Sequence, residues 1–84
     1  MMAVSRILVK EVYYDNDYRN YLTRPLVVMT DRIETIREFY DRNSGAKAKI
    51  ITMSGDVISC KESFDEIMKK LEGEEGQRLK SFWR

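Results

Sequence analysis

The chain has 84 residues, which suffices for one small domain with a modest share of buried surface. Apolar residues make up 43% and charged residues 35%, so the composition excludes a disordered chain. Its fifteen Lys and Arg and fourteen Asp and Glu residues are interleaved and leave a net charge of +1, which disfavours sequence-independent binding to nucleic acid.

The compartment is predicted from cysteine usage and from the apolar runs. The lone Cys60 excludes an internal disulfide and indicates a reducing environment. No apolar run reaches the roughly 18 residues that span a bilayer, and the start, MMAVSRILVK, does not have the pattern of a secretory signal. We therefore expect a cytoplasmic protein with no membrane partner.

Residues 4–14 are rich in β-branched and aromatic side chains, which predicts a strand. The strand would have two apolar faces, with Leu8, Val12 and Tyr14 on one and Ile7, Val9 and Tyr13 on the other. Residues 15–24 have Asp and Asn at turn positions and no apolar period, which predicts an irregular loop. Pro25 lacks an N–H and suits the first residue of a strand over 26–29.

Two local patterns compete in residues 30–42. Asp31 with Glu34 resembles a helix start, while alternation from Ile33 onward is typical of a strand. The loop-forming residues 43–45 and the strand predicted after them favour a hairpin, so we predict a strand here.

Residues 46–60 predict a tight β-hairpin, because Gly55 allows the positive φ of a two-residue loop, either Ser54-Gly55 or Gly55-Asp56. That pairing places Ile51, Met53, Ile58 and Cys60 on one face, the expected core face, and Ile50, Thr52, Val57 and Ser59 on the other.

A helix is predicted directly after the hairpin. Ser63 and Glu66 have the spacing of a capping box, in which each side chain accepts the other residue's backbone N–H. Phe64, Ile67, Met68 and Leu71 then form one apolar stripe, which would cover the hairpin. Gly73 predicts the C-terminal stop.

These elements predict an α+β fold, a small antiparallel sheet of four or five strands with one C-terminal helix. Residues 1–75 are expected to form a single domain, and residues 76–84 a C-terminal tail. That tail carries Leu79, Phe82 and Trp83, which would dock on the same chain or on another one.

Common catalytic chemistry has no residues to support it. The sequence contains no histidine and neither G-x-x-x-x-G-K-[ST] nor G-x-G-x-x-G, and an Asp15/Asp17 pair in a loop is more often a solvated turn than an acid–base pair. We expect no enzyme activity, no cofactor and no metal.

The predicted binding residues are aromatic side chains and arginines. Tyrosine offers a large contact area, and the arginine fork suits carboxylate or phosphate. The alternative, which the sequence favours over a ligand site, is that two of the tyrosines are core and the others cover it. The candidates are Tyr13, Tyr14, Tyr18, Arg19, Tyr21, Arg24, Arg37, Phe82 and Trp83.

The stretch IITMSGDVISCKESFDEIMKKL resembles the FlbD-like family of small bacterial flagellar and swarming-motility proteins. The residues in matching order are Ile51, Met53, Gly55, Glu62, Ser63, Glu66 and Ile67, and upstream Asp31, Ile33 and Ile36. The resemblance covers about half of the chain, implies a hairpin-and-helix architecture and a motility role, and transfers no catalytic residue. The tyrosine-rich segment and the tail depart from the family.

The sequence thus predicts a small non-enzymatic cytoplasmic protein of bacterial or phage origin that binds or regulates another protein, and we expect a homo-oligomer. The alternative is a phage-type anti-defence inhibitor that sequesters an anionic nucleotide signal between subunits, with Arg19, Arg24 or Arg37 and the tyrosines as the binding residues.

Overall fold

The computed structural model describes the backbone of residues 5–82 and the side chains of residues 5–73. Its elements are β1 (Arg6–Asp15), β2 (Asn20–Met29), β3 (Ile33–Glu38), β4 (Ala48–Thr52), β5 (Val57–Cys60) and α1 (Phe64–Phe82), with a short 3-10 turn at Thr30–Arg32. The five strands form one antiparallel sheet in the order β2-β1-β5-β4-β3. This confirms the predicted α+β fold.

Strands β1 and β2 form a long hairpin with unbroken register, so the prediction of an irregular loop over residues 15–24 is wrong, as is the placement of Pro25 at a strand start. Pro25 lies in the middle of β2, opposite Lys10. The backbone C=O of Lys10 accepts the N–H of Lys61 at 2.9 Å, on the side away from β2. The Pro25 nitrogen therefore faces the free edge of the sheet, where the missing N–H removes no ladder hydrogen bond.

The strand predicted for the region after Thr30 is confirmed. The local helix signal at Asp31 produces only the 3-10 turn, after which Ile33–Glu38 pairs with β4. The register shifts between Ile33 and Thr35, so Glu34 is a bulged residue. Pairing with a neighbouring strand overrides the local helical pattern here.

The β4–β5 hairpin is confirmed, but its loop has three residues rather than two. The Thr52 N–H donates to the Asp56 carbonyl oxygen at 2.9 Å, which leaves Met53, Ser54 and Gly55 in the loop. Gly55 has φ +92°, as such loops require at their last position. The extra residue changes the partner of every residue in the hairpin.

The expected core face of β4 is therefore wrong. Ile50 pairs with Ile58 and Ala48 with Cys60, and all four side chains are buried. Met53, which was assigned to the core, is 65% exposed in the loop. A one-residue change in register turns each side chain of a strand to the opposite face, and this is the physical cause of the error.

The helix begins as predicted, with its capping box formed. The Ser63 N–H donates to Glu66 Oε1 at 2.8 Å, and the Glu66 N–H donates to Ser63 Oγ at 3.2 Å. Ile67 is fully buried, and Leu71 packs against the core cluster.

Gly73 does not end the helix, which continues to Phe82 and crosses the expected domain boundary at residues 75 and 76. Glycine lowers helix stability by only about 1 kcal/mol, so it permits a helix as well as a stop. The predicted contacts of the Leu79 and Phe82 side chains and of Trp83 lie outside the described residues.

The helix packs against only one of the two faces of the sheet. We call the side packed against Ile67 the helix-covered face; its buried residues are Ile7, Val9, Val28, Ala48, Ile50, Ile58 and Cys60. We call the other side the open face. By strand register its positions are Arg6, Leu8, Lys10, Val12 and Tyr14 of β1, Tyr21, Thr23, Pro25, Val27 and Met29 of β2, Val57 and Ser59 of β5, Lys49 and Ile51 of β4, and Thr35 and Arg37 of β3.

Candidate functional site

The tip of the β1–β2 hairpin is a four-residue turn held by Asp15. Its Oδ1 accepts the backbone N–H of Asp17 at 2.8 Å and that of Tyr18 at 3.1 Å. Arg19 closes the turn with φ +53°, a left-handed conformation that is uncommon for a residue other than glycine. The turn leaves the side chains of Tyr18 and Arg19 exposed at the end of the hairpin.

Tyr14 and Tyr21 form an aromatic pair on the open face, next to this turn. They lie directly opposite each other on β1 and β2, and their ring centroids are 5.1 Å apart with the planes at 75°. This edge-to-face geometry is favourable for aromatic rings and stabilises the end of the hairpin. Both rings also remain exposed, so they can contact a partner.

Tyr13 and Arg24 lie on the opposite side of the same hairpin. Arg24 Nε donates to Glu11 Oε1 at 2.9 Å, and the guanidinium carbon of Arg24 lies 4.1 Å from the centroid of the Tyr13 ring. The hydrogen bond to Glu11 is the main reason that the pKa of Arg24 is raised. Arg24 is thus held by two groups of its own chain.

The structure does not bring the predicted binding residues together within one chain. Tyr14 and Tyr21 are on the open face, Tyr13 and Arg24 are on the other side, and Arg37 is on β3 at the far edge of the sheet. Four strand spacings of about 4.8 Å separate β2 from β3, a distance of roughly 19 Å. The contacts of Phe82 and Trp83 lie outside the described residues.

Aliphatic side chains on the open face are the feature that the list of candidate residues missed. Leu8 and Val57 are each 56% exposed and Val27 is 52% exposed, and Met29 is exposed as well. Leu8 and Val27 lie directly opposite each other on β1 and β2. The signal was present in the sequence, because β1 was predicted to have two apolar faces, but the partner of its second face was not.

Two other side chains with ionisable groups, Cys60 and Tyr40, have raised pKa values. Cys60 is buried, and burial raises the pKa of its thiol to about 12, so the thiolate needed for nucleophilic attack is suppressed. The hydroxyl of Tyr40 donates to Glu38 Oε2 at 3.1 Å, and this hydrogen bond raises the pKa of Tyr40. Among the described residues, no cluster of three or more Cys, Asp or Glu side chains has the arrangement of a metal site.

Comparison of the chain with protein-family models, curated proteins and solved structures finds no match. The resemblance to the FlbD-like family therefore stays a prediction. Within the part of the chain that the structure describes, no helix is both long and apolar enough to cross a membrane.

Proposed function

We propose that this chain is a small non-catalytic binding protein that acts through contact with another protein. The observation that carries the proposal is the open face, where Leu8, Val27 and Val57 are each more than half exposed. Leu8 and Val27 are adjacent cross-strand partners, and adjacent exposed apolar side chains favour a protein interface because burying them against a partner is favourable.

The aromatic pair extends this surface toward the hairpin tip. Tyr14 and Tyr21 are exposed and held by each other, so little side-chain freedom is lost when a partner covers them. Tyrosine is among the residues that contribute most at protein interfaces. We therefore place the binding surface on the open face of the β1–β2 hairpin and not on the Arg24 side.

The experiment compares the partners of the wild type and of Leu8→Ser/Val27→Ser by affinity purification from cells that express the gene. We expect a specific partner to be recovered with the wild type and lost with the double variant. Met53→Ser is the matched control, since it removes an exposed apolar side chain from the β4–β5 loop, outside the open face. Equal recovery with all three proteins would contradict the proposal.

A second candidate function is sequestration of an anionic nucleotide. The observation that favours it is the pair Arg37 and Lys49, two cations that lie directly opposite each other on β3 and β4. Because Arg24 is far away on β2, a site that uses both arginines needs a second subunit. Native mass spectrometry of freshly purified protein tests this function, which requires a nucleotide-sized adduct that Arg37→Gln/Lys49→Gln removes.

Homo-oligomer formation also stays a prediction. Light scattering coupled to gel filtration measures the molar mass, and a monomeric mass across the accessible concentration range would contradict it. Edge-to-edge pairing through β2 is disfavoured, because Pro25 interrupts the row of N–H donors on that edge.

A further inference from the structure

Acidic and basic side chains are distributed unequally between the two faces of the sheet. The carboxylates of β1, Glu11 and Asp15, lie at positions on the side of the helix-covered face. Among the described strand residues whose face the register assigns, which leaves out the bulged Glu34, no position of the open face is an Asp or a Glu. Its charged positions are Arg6, Lys10, Arg37 and Lys49. In a chain with a net charge of only +1, the charged strand positions that the register assigns to this face are therefore all cationic, and the nearby carboxylate of Glu62 is held by the backbone N–H of Lys10 at 3.0 Å.

Two of these cations are neighbours on adjacent strands. Arg37 and Lys49 are direct cross-strand partners, and like charges in this position destabilise a sheet. Lys49 Nζ lies 3.9 Å from the centroid of the Phe39 ring, and in the part of the chain with described side chains neither cation forms a salt bridge. An anionic group placed between them would relieve the repulsion.

The exposed aliphatic side chains of this face lie among these cations and beside the aromatic pair, since the antiparallel register of β1 and β5 puts Val57 level with Tyr14. Leu8 lies on the same face of β1 as Arg6 and Lys10, two residues to either side, and Val27 lies opposite Leu8. Aliphatic groups do not stack on bases, which is how sheets bind single-stranded nucleic acid, whereas they pack against the apolar side chains of a protein. The exposed rings of this face, Tyr14 and Tyr21, are packed edge to face against each other. Cations interspersed with apolar side chains therefore match a protein segment that combines apolar side chains with carboxylates.

We propose that the open face binds an acidic amphipathic helix of a partner protein. The inference rests on the proposed function and adds the chemistry of the partner. Apolar side chains of the helix contact Leu8 and Val27 and, further along the sheet, Val57, and its carboxylates meet Lys10, Arg37 and Lys49. The result is a second helix layer on a sheet that already carries one, an arrangement common in α/β domains.

Two other occupants fit the open face less well. A partner strand added to β2 would lack a hydrogen-bond donor at Pro25, in the middle of the edge. A second copy seated by its own open face would bring two positive faces together without carboxylates between them.

The experiment uses two synthetic amphipathic helical peptides of about 18 residues, roughly five turns. They share one leucine stripe, and the polar positions are Glu in one peptide and Lys in the other. Fluorescence anisotropy measures the affinity of each labelled peptide for the full chain. We expect the Glu peptide to bind about tenfold more tightly, with a difference that shrinks as salt shortens the screening length below about 10 Å.

Two variants assign the binding to the open face. Arg37→Gln/Lys49→Gln removes two positive charges without adding a new one, and we expect it to weaken the Glu peptide about tenfold while the Lys peptide is unaffected. Lys69→Gln is the matched control, because Lys69 is exposed on the helix, away from this face. Chemical shifts of the Leu8, Val27 and Val57 amides report the contact independently of any variant.

Several results would overturn the inference: equal affinity for the two peptides, shifts confined to the helix, tighter binding of an oligothymidine than of the Glu peptide, or a molar mass showing that a second copy covers the face. If Leu8→Ser/Val27→Ser loses a cellular partner while the peptides bind equally, the partner chemistry is wrong and the proposed function stands. If no partner depends on the open face, the proposed function fails.

Discussion

The two faces of the sheet are built from the same strands and differ in what covers them. On one face Ile7, Val9 and Ile50 are buried beneath Ile67 of the helix. On the other, Leu8, which lies between Ile7 and Val9 in the sequence, and Val27, which precedes the buried Val28, are more than half exposed. Apolar character does not distinguish these positions, and the open face is not exposed at every position either, because its Val12 is buried. The comparison shows that a strand with two apolar faces can serve folding with one of them and recognition with the other.

The most direct test of the difference between the two faces truncates one buried and one exposed aliphatic side chain and compares the loss of stability. We expect Ile67→Ala to lower the free energy of unfolding by about 2–5 kcal/mol, because it leaves a cavity in the core. We expect Leu8→Ala to change it by less than about 0.5 kcal/mol, since the site is on the surface. Urea unfolding measures both, and similar losses would show that the open face is also part of the core.

The chemistry of Cys60 tests whether the helix-covered face excludes water. Its pKa is raised from 9.0 to about 12 by burial, so at pH 8 the folded protein holds on the order of a thousandfold less thiolate than the unfolded chain. We expect a disulfide reagent to label the protein rapidly only in denaturant. Because the folded state retains the proton, this group stabilises the fold below pH 9, and that contribution is lost as the pH rises toward 12. Fast labelling of folded protein would place Cys60 at the surface.

A smaller effect should follow from the start of the helix that covers this face. Ser63→Ala removes the hydroxyl that accepts the Glu66 N–H, and we expect a loss of about 1 kcal/mol of unfolding free energy. Ser59→Ala is the control, because Ser59 is half-buried on the open face and its side chain forms no hydrogen bond among the described residues. Equal thermal shifts in the two variants would contradict the capping role.

The smallest effect is the pH dependence of the same capping box. The Ser63 N–H that donates to the Glu66 carboxylate lowers the pKa of Glu66 below its ordinary 4.5, against the opposing effect of desolvation. A lowered folded-state pKa gives stability that is present above about pH 4.5 and lost as the pH falls through the folded value. We expect the stability difference between wild type and Glu66→Gln to shrink below pH 4.5, as measured by urea unfolding at each pH. A stability difference that does not change with pH would show that the negative charge of Glu66 is not the cause of the stabilisation.

Much of the fold could be predicted from the sequence, because its signals are local. The capping box at Ser63 and Glu66, the glycine of the β4–β5 turn and the strand after Thr30 each follow from a few neighbouring residues. The core face of β4 could not be predicted, since it depends on whether the loop holds two residues or three, and both lengths accept Gly55. Residues 26–29 of β2 were predicted as a strand, but residues 20–25 were not, because they are held by cross-strand partners such as Tyr14 opposite Tyr21.

The candidate site was predicted less well, for a related reason. The tyrosines and arginines were recognised by residue type, but their distribution over two faces and two edges depends on register and strand order. The aliphatic part of the open face and its lack of carboxylates emerge only when the five strands are laid side by side. Sequence periodicity alone gives the faces of each strand but not how they are combined.

The loop of Met53, Ser54 and Gly55 has a consequence for how this protein can change over evolution. Deleting one of its residues would shift the register of the β4–β5 hairpin by one residue and turn the side chains of one strand to the opposite face of the sheet. In β4, Ile51 would then replace Ile50 beneath the helix. Related sequences should therefore vary the composition of this loop while keeping its length, and an insertion or deletion there should be accompanied by hydrophobic changes across the whole hairpin.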